Sequence, residues 1–388
     1  MSVFGIVCET NPIHNGHKYL IRSAREQGAE AIVCVMSGNT VQRGEFAIAD
    51  KYLRAEALIR CGADLVLELP YPWASASAEY FSRAAISILR HFCDTVIFGS
   101  ECGDIDLLKC AADAACSYEF KDEFNAKISN GVPAAKLYFD MLEVCAGIKL
   151  SSNDLLGVEY IKTARHLSSH IDFRTVVRKG DSYTSLEISD QSFPSAMSIR
   201  RQWQEKNTEN IEKYIPEEAL KIYKNAIEEE KITDYGMLDT ILLSFFRLHG
   251  GSDFENIAGA GGGVANRICE MAHKARSADE LMELVKNKRY TDASLRRTML
   301  YCMSGVTKDI LEDLPKEALL LAANENGRVL ISKNRKRDGV KIVTKPADLD
   351  MSLQQNILMK RIDSIYTLLF NEHSESYEFM KRKPYIAK

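Results

Sequence analysis

The sequence predicts an α/β fold in which a doubly wound parallel sheet is followed by a mainly helical C-terminal domain. From residue 2 to about residue 100, short β-branched runs alternate with longer stretches of helical period, a pattern typical of βαβ units. After about residue 205 the β-branched runs disappear and helical patterns follow one another. We therefore expect two domains, at residues 1–204 and 205–388.

Four continuous apolar runs indicate the strands of the sheet. They cover residues 3–8, 31–36, 65–69 and 95–98, and such runs are typical of strands buried on both faces. Right-handed crossovers between parallel strands leave ligands beyond the carboxyl ends of the strands. The functional site is therefore expected at that edge of the sheet.

Helical patterns separate these strands. The first helix is expected from about residue 17 to 27, the second from 50 to 61 with Gly62 as its C′ residue, and the third from 78 to 91. A second group of αβ elements follows, with a strand at residues 175–178 and a helix that opens at Pro194-Ser195.

The C-terminal domain is predicted to be helical, with a loop of six glycines over residues 250–263 that acts as a joint or binding loop. Its expected helices cover residues 216–229, 233–249, 265–275, 278–286, 293–303 and 315–321.

Composition and charge exclude several classes of protein. The chain has 388 residues, 46% of them hydrophobic and 27% charged, as in ordinary globular proteins, and a net charge of -4. Bulk electrostatics therefore do not favour binding to nucleic acid, and any such contact requires a local basic patch. The sequence has no positively charged leader and no apolar run near the ~20 residues that cross a bilayer, so neither a signal peptide nor a membrane span is expected.

The cysteines and histidines do not predict a metal site. The ten cysteines never form a CxxC pair, which favours reduced thiols in a cytoplasmic protein over a zinc knuckle or a disulfide framework. His166 and His170 are four residues apart but lack the glutamate of a zinc-protease motif.

The most informative segment is Glu9-Thr10-Asn11-Pro12-Ile13-His14-Asn15-Gly16-His17, which stands between the first predicted strand and the first predicted helix. A helix N-terminus binds phosphate through unpaired N–H groups and the positive end of its dipole. His14 and His17 can converge there on one phosphate group and stabilise the charge that develops on it during adenylyl transfer. The structural alternative is that one histidine caps the helix and the other lies on the surface.

This segment resembles the HxGH signature of the nucleotidyltransferase superfamily. A narrower resemblance, to the tRNA(Met) cytidine acetate ligase family, spans most of the chain and is weakest between about residues 205 and 260. The strings that carry it are Glu9-x-Asn11-Pro12-x-His14-Asn15-Gly16-His17, Met36-Ser37-Gly38-Asn39-x-Val41-Gln42-Arg43-Gly44-Glu45, Phe98-Gly99-Ser100-Glu101, Ser152-Asn153-Asp154-Leu155-Leu156-Gly157-x-Glu159-Tyr160, Ser195-Ala196-x-Ser198-Ile199-Arg200 and Lys288-Arg289-Tyr290-Thr291. The chain departs from the family at Thr10, where an aromatic residue is usual, and at Phe46, where a proline is usual, which leaves the shape of the adenine pocket open.

The resemblance implies a Rossmann domain of the HUP nucleotidyltransferase type, with ATP as co-substrate, Mg²⁺ accompanying it and His14 and His17 as catalytic residues. Carried over by position, the residues that it implies at the ATP site are Val7, Cys8, Glu9, Thr10, Asn11, Pro12, Ile13, His14, Asn15, Gly16, His17, Lys18, Tyr19, Leu20, Gly99, Asn153, Arg178, Ser195 and Ser198. Each of the later positions also has a simpler interpretation: Gly99 as a tight turn, Arg178 as a surface charge and Ser195 as a helix N-cap.

Two polar regions lie outside this site. Asn39, Gln42, Arg43 and Glu45 follow the second strand, where they are suited to bind acetate or a tRNA nucleotide unless the loop is simply solvated. In the C-terminal domain the predicted tRNA-binding residues are Lys286, Lys288, Arg289, Arg296 and Arg297, with Tyr290 able to stack on a base and with further basic runs at residues 333–337 and 381–383. Each basic run alone is also typical of a solvated surface.

By resemblance, the chain is expected to join acetate to ATP as acetyl-adenylate and to transfer the acetyl group to the wobble cytidine of elongator tRNA(Met). One rival is an adenylyltransferase acting on a small phosphorylated metabolite, which needs no large basic docking surface. A second rival is a non-catalytic, nucleotide-sensing RNA-binding protein. ATP consumption that depends on both acetate and tRNA separates the three.

Overall fold

A computed structural model gives the fold and describes residues 1–128, 134–178, 200, 203, 212–334, 339–371, 375–376 and 378–387. Its centre is an eight-stranded sheet, of which seven strands form one path in the order β10-β8-β5-β2-β1-β6-β7, while β9 pairs with β8. The strands of the sheet and of a small β3-β4 hairpin are β1 (Val3–Cys8), β2 (Ala31–Ser37), β3 (Thr40–Val41), β4 (Glu45–Phe46), β5 (Leu65–Leu69), β6 (Thr95–Ser100), β7 (Asp172–Val177), β8 (Glu317–Ala323), β9 (Lys341–Val343) and β10 (Tyr385–Ile386).

Helices cover the faces of this sheet and form most of the C-terminal half. They are α1 (Asn15–Glu26), α2 (Lys51–Arg60), α3 (Ala78–Leu89), α4 (Ile105–Cys116), α5 (Tyr118–Ile128), α6 (Ala134–Ala146), α7 (Ser152–His166), α8 (Glu217–Glu228), α9 (Tyr235–Arg247), α10 (Val264–Ala272), α11 (Ala278–Val285), α12 (Asp292–Ser304), α13 (Lys308–Glu312), α14 (Glu325–Asn334), α15 (Gln354–Tyr366) and α16 (Glu378–Lys381). None of the helices within the described ranges is long and apolar enough to cross a membrane.

The first five long strands form the predicted parallel, doubly wound sheet. β5, β2, β1, β6 and β7 are parallel neighbours, and the chain winds to one side of β1 through β2 and β5 and to the other through β6 and β7. The order therefore reverses between β1 and β6. In an open α/β sheet, such a reversal opens a crevice at the carboxyl ends of the strands.

The prediction of a helix over residues 315–321 is wrong, because this segment forms β8, which runs antiparallel to β5. All seven residues of β8 are buried, in a sequence of Glu, Ala and Leu that has high helix propensity. Pairing with β5 on one side and with β9 and β10 on the other outweighs that propensity. The C-terminal half therefore adds strands to the N-terminal sheet, and the boundary after residue 204 stays a prediction.

Among the described residues, three hydrophobic clusters hold these layers together. Two of them pack helices against the opposite faces of the sheet, around residues such as Ile32 on one face and Val33 on the other. A third is formed by α9 to α12 around Phe246, Ile268 and Leu281. The sheet core thus fixes the strand ends from which the site is built.

Candidate functional site

A cleft opens where the strand order reverses, at the carboxyl ends of β1, β6 and β7 and between α1 and α7. Its cavity volume is about 290 Å³, near the lower end of the range of roughly 300–1,000 Å³ for small-molecule sites. Thirteen of the predicted ATP-site residues line it: Val7, Cys8, Glu9, Thr10, Asn11, His14, Gly16, His17, Tyr19, Leu20, Gly99, Asn153 and Arg178.

His14 and His17 form a reciprocal cap at the start of α1. The Nδ1 atom of His14 accepts the backbone N–H of Gly16 at 3.1 Å, and the Nδ1 atom of His17 accepts the backbone N–H of His14 at 3.2 Å. The two ring centroids are 3.9 Å apart. The helix consequently begins at Asn15, two residues earlier than the sequence predicts. The capping role that the structural alternative gave to one histidine is present, and both histidines also line the cleft.

The same geometry fixes the protonation state of the two rings. Burial, the neighbouring His17 ring and the Arg178 guanidinium hold the pKa of His14 well below 6.5, and burial together with Arg178 lowers the pKa of His17 to about 3. Both rings are therefore neutral at pH 7. Because each Nδ1 accepts a backbone N–H, the one proton of each ring is on Nε2. The cleft thus contains two neutral N–H donors beside the positive end of a helix dipole, a combination suited to phosphate oxygens.

Glu101 holds two of the predicted ATP-site residues in place. Its Oε1 accepts the side-chain amide of Asn153 at 2.7 Å and lies 3.3 Å from Nε of Arg178, while its Oε2 accepts the hydroxyl of Ser151. Gly99 lies beneath this group, and a Cβ atom at Gly99 would approach Cγ of Arg178 to 3.0 Å. Arg178 therefore lines the cleft in an ion pair with Glu101. The sequence string that contains Glu101 did not indicate this clamp.

Four residues of the predicted ATP segment do not line the cleft. Pro12 and Ile13 are buried, and the backbone N–H of Ile13 donates to the Tyr223 hydroxyl at 3.3 Å. The Asn15 side chain donates to the carbonyl of Lys213, and Lys18 pairs with Glu218 at 2.6 Å. These residues join α1 to the neighbouring α8 region. Ser195, Ser198 and the helix predicted to open at Pro194-Ser195 lie outside the described residues.

Apart from Gln42 and Arg43, which were expected to bind acetate or a tRNA nucleotide, the remaining lining of the cleft was not predicted as a binding site from the sequence. Most of these side chains are apolar or aromatic and form a wall suited to an adenine ring. They come from α3, β6, α7, β7 and the loop after β3: Gln42, Arg43, Ala78, Phe81, Phe98, Ser152, Leu155, Leu156, Tyr160, Val176 and Val177. The spacing of Ser152, Leu155 and Leu156 is that of one helix face, and these residues lie within one of the strings that carry the family resemblance. Their position in the lining of the cleft could therefore have been predicted.

The two residues that depart from the family pattern, Thr10 and Phe46, differ in whether they line the cleft. Thr10 is buried, has a φ of +45°, lines the cleft and donates its hydroxyl to Sδ of Met36 at 2.9 Å. Phe46 is buried against Tyr366, with ring centroids 6.1 Å apart, and is not among the lining residues that the structure describes. Only Thr10 therefore affects the shape of the cleft.

The polar residues after the second strand divide between two environments. Gln42 and Arg43 line the cleft, and the backbone N–H of Gln42 donates to Oε1 of Glu9 at 2.7 Å. Asn39 is buried away from it and donates to Asp363 at 2.8 Å. Glu45 pairs with Arg200 and Arg296 instead of lying in a solvated loop.

Arg54 holds the segments that follow β1 and β2 together, and it was not predicted as a site residue from the sequence. Its buried guanidinium donates to the carbonyls of Glu9 at 2.7 Å, Ser37 at 3.2 Å and Ala49 at 2.8 Å, and also to that of Gly38. One side chain thereby joins the ends of β1 and β2. Nothing in the linear pattern of α2 distinguishes Arg54 from an exposed helical arginine.

The predicted tRNA-binding residues lie in two settings. Lys286, Lys288 and Arg289 are exposed, although Lys286 is shared between Glu283 and Asp292. Arg289 lies over the Tyr290 ring at 5.6 Å. Arg296 and Arg297, in contrast, are half-buried and contact the loop that carries Gln42 and Glu45.

The other basic runs are only partly described. Lys333 is exposed, while residues 335–337 lie outside the described part of the chain. Lys381 pairs with Glu375, and Arg382 pairs with Asp50 at 3.0 Å. Among the described residues there is no group of three His, Cys, Asp or Glu side chains placed to hold a metal ion.

Comparison with known proteins identifies the relatives of this chain. The family model described as HIGH Nucleotidyl Transferase matches residues 1–381. The tRNA(Met) cytidine acetate ligase of Caldanaerobacter subterraneus subsp. tengcongensis is 32% identical over 392 residues and covers 97% of each chain. The enzyme of that name from Thermotoga maritima is 36% identical over 377 residues, covering 91% of this chain and 88% of its own.

Two solved structures of Thermotoga maritima TmcAL have the same fold. The apo structure gives a TM-score of 0.90 at 31% identity, and the structure bound with alpha-thio ATP gives 0.87 at 30% identity. Each comparison covers 100% of this chain and 99% of the other. The similarity therefore extends over both halves and is not confined to the Rossmann part.

Proposed function

The chain belongs to the HIGH nucleotidyl transferase family and, within it, to the tRNA(Met) cytidine acetate ligases, and from this premise we propose that it acetylates the wobble cytidine of elongator tRNA(Met). In the first step, an acetate oxygen attacks the α-phosphorus of ATP and pyrophosphate leaves with its bonding electron pair. In the second step, the N4 amine of the cytidine attacks the acetyl carbonyl and AMP leaves. The product is N4-acetylcytidine.

The observation that carries the proposal is the pair of neutral imidazoles at the N-terminus of α1. Their Nε2–H groups are preorganised donors, because both Nδ1 atoms are held by backbone N–H groups. Donors aimed at the charge that develops on a five-coordinate phosphorus lower the barrier, and one such donor is typically worth about 10²–10³ in rate. We assign His14 and His17 to this role on the α-phosphate.

The remainder of the cleft supports ATP as the co-substrate. The apolar wall from α7 and β7 suits the adenine ring, and Arg178 and Asn153 line the same cleft as His14 and His17. A structural relative carries alpha-thio ATP. We propose that Mg²⁺ enters with the nucleotide, held mainly by phosphate oxygens and water, which is its usual mode with nucleotides. When bound, Mg²⁺ would supply positive charge that offsets the charge of the phosphates.

We assign tRNA recognition to the half after residue 204. Exposed Lys288 and Arg289 carry positive charge near the stacked ring of Tyr290, and cations beside aromatic rings are suited to phosphates and unpaired bases. Because tRNA is the second substrate, this proposal also places the protein in the cytoplasm. A small phosphorylated metabolite requires none of this surface.

The direct test is a reconstituted reaction. Purified protein, ATP, labelled acetate and total tRNA are incubated, the tRNA is digested to nucleosides, and N4-acetylcytidine is measured. We expect label in acetylcytidine, together with formation of AMP that depends on acetate. AMP attached to another metabolite would favour the adenylyltransferase alternative, and nucleotide binding without turnover would favour the sensing protein.

A further inference from the structure

The second step of the proposed reaction requires a group that accepts a proton. The N4 amine of cytidine carries two hydrogens, and one of them must leave as the new N–C bond forms. A general base positioned in the cleft accelerates such a step by about 10²–10⁴. We propose that this base is the carboxylate of Glu9, an inference that rests on the proposed function.

The position of Glu9 carries the argument. It follows the last residue of β1 and lines the cleft from the same β1–α1 connection that ends at His14. Among the described residues that line the cleft, Glu9 is the only one with a carboxylate. It is therefore placed near the reacting phosphate and on the side of the loop that contains Gln42 and Arg43.

The carboxylate is also fixed in orientation. Its Oε1 accepts the backbone N–H of Gln42 at 2.7 Å, and its own backbone carbonyl accepts the Arg54 guanidinium at 2.7 Å. One oxygen is thus committed to the protein scaffold, and within the described part of the chain no hydrogen bond holds Oε2, so that this oxygen is left to receive a proton. A base held in this way does not have to be ordered when substrate binds.

Five of the other titratable side chains that line the cleft are less suited to this role. His14 and His17 use their Nδ1 lone pairs to accept backbone N–H groups, so that their Nε2–H groups donate and do not accept. Burial raises the pKa of Tyr160 far above the working range, which keeps its hydroxyl protonated. Arg178 and Arg43 are cations.

The environment of Glu9 makes its carboxylate a stronger base than an exposed glutamate. Burial and the nearby Glu45 carboxylate raise the pKa of Glu9 above 4.5, although the hydrogen bond from Gln42 and the charges of Arg200 and Arg43 act against this increase. A base with a raised pKa accepts a proton more effectively in the transition state.

The step balances without an additional reactant. The N4 lone pair forms the N–C bond, the carbonyl π electrons move to oxygen, and the N4 proton passes to Oε2 of Glu9. The oxygen electrons then return as the C–O bond to phosphate breaks, and AMP leaves with that electron pair. Glu9 finally releases its proton to solvent. His14 and His17 continue to stabilise the phosphate charge.

A chain of contacts connects Glu9 to the helix that bears predicted tRNA-binding residues. The guanidinium of Arg297 donates to the carbonyl of Gln42 at 3.2 Å, and the N–H of Gln42 holds Glu9. Gly44 permits this packing, because a Cβ atom there would lie 2.6 Å from the backbone nitrogen of Arg297. In this arrangement Arg297 acts as a positioning residue for the base.

The test compares the two half-reactions in Glu9→Gln. The amide oxygen of glutamine still accepts the Gln42 N–H, so we expect the variant to fold and to melt near the wild-type temperature. Enzyme loaded with labelled acetyl-adenylate is mixed with elongator tRNA(Met), and the single-turnover transfer rate is measured across pH. We expect transfer to slow by about 10²–10⁴, with a smaller effect on acetate-dependent ATP–pyrophosphate exchange.

The pH profile separates a base from a structural role. Wild-type transfer should fall as pH decreases through the pKa of Glu9, because the protonated carboxyl cannot accept a proton, and Glu9→Gln should lack that limb. Glu9→Asp should restore the limb at a reduced rate. Glu26→Gln, an exposed substitution on α1, is the matched control and should behave as wild type.

The possible failures can be told apart. Transfer by Glu9→Gln at the wild-type rate with an unchanged pH profile would overturn the assignment of the base. Equal loss of both half-reactions would overturn it too, because Glu9 would then serve nucleotide binding. Absence of acetate-dependent exchange in the wild type would instead refute the proposed function itself.

Discussion

At the scale of single residues, the roles of His14 and His17 follow from the two nitrogens of each ring. Nδ1 accepts the capping hydrogen bond, and Nε2 carries the only ring proton. A substituted side chain can therefore keep the capping hydrogen bond while it loses the Nε2–H donor. This separation allows the proposed catalytic role of the imidazoles and their helix-capping role to be measured independently.

Two substitutions of His17 make that separation. In His17→Asn the amide oxygen can still accept the N–H of His14, whereas His17→Ala removes both the cap and the donor. We expect both variants to lose at least about 10²-fold in acetate-dependent ATP–pyrophosphate exchange. Only His17→Ala should also lose about 1 kcal/mol of stability in urea denaturation. Wild-type exchange by His17→Asn would contradict the assigned role.

The depressed histidine pKa values predict how the stability of the nucleotide-free protein varies with pH. In the unfolded chain His17 takes up a proton below pH 6.5, while in the folded protein it does so only near pH 3. The unfolded state therefore binds more protons between these limits, and stability falls as the pH decreases from 6.5.

Replacing His17 should reduce that acid sensitivity. Between pH 7 and pH 5, His17→Asn should lose less unfolding free energy than wild type, by about 1 kcal/mol after allowance for partial exposure of the ring. Urea denaturation at the two pH values measures the difference. Equal losses in the two proteins would show that His17 titrates normally in the folded state.

The motif around His14 and the family resemblance singled out residues that line the cleft, but not the contacts that depend on three-dimensional neighbours. His14, His17, Asn153 and Arg178 line the cleft, and their contact with ATP stays a prediction. The clamp by Glu101 depends on β6, α7 and β7 lying side by side, and no sequence spacing encodes that. The positions of Ser195 and Ser198 remain predictions.

At the scale of elements, the predictions succeeded where the pattern was local. The parallel strands contain β-branched runs bounded by turns, and the ends of α2 follow from Asp50 as N-cap and Gly62 with a φ of +107°. β8 was missed because the identity of a segment rich in Ala and Leu is decided by burial between β5 and its two neighbours. Helices α4 to α7 were not predicted individually, because the sequence pattern indicated only a second group of αβ elements there.

The proposed orientation of the Glu9 carboxylate depends on the contact between α12 and the loop after β3. Gly44, with a φ of +76°, tolerates no Cβ against Arg297, whereas Gly147, with a φ of +68°, has no atom within 4 Å of such a Cβ. Alanine at either position carries similar backbone strain, but only Gly44→Ala adds a steric clash.

We therefore expect Gly44→Ala to destabilise the protein by about 2 kcal/mol more than Gly147→Ala. It should also slow acetyl transfer to tRNA more than it slows adenylate formation, because the displaced loop releases Gln42 from Glu9. Thermal melting and the two half-reaction assays test this. Equal behaviour of the two variants would mean that α12 does not position the loop.

At the scale of the whole molecule, the two halves share a sheet and a buried network of charges. Lys51 Nζ lies 2.9 Å from Glu68 and 2.8 Å from Asp363, and all three side chains are buried. Lys51 and Glu68 come from the N-terminal half, while Asp363 comes from α15 near the C-terminus. The halves therefore divide the proposed tasks without being structurally separate.

The division of tasks predicts a selective effect on tRNA. Lys288→Ala combined with Arg289→Ala should raise the KM for tRNA and reduce the salt dependence of tRNA binding, because exposed cations release counterions when they meet phosphates. Adenylate formation should be retained, since both residues lie outside the described lining of the cleft. Lys274→Ala, another exposed lysine of this half, is the control. Equal loss of both half-reactions would indicate that the pair is structural.

The central claim is that the paired imidazoles at the start of α1 bind the α-phosphate. A crystal structure of the protein with a non-hydrolysable ATP analogue and acetate measures this directly. The account predicts α-phosphate oxygens at about 2.7–3.1 Å from Nε2 of both His14 and His17. A nucleotide bound with its phosphates directed away from both rings would contradict it.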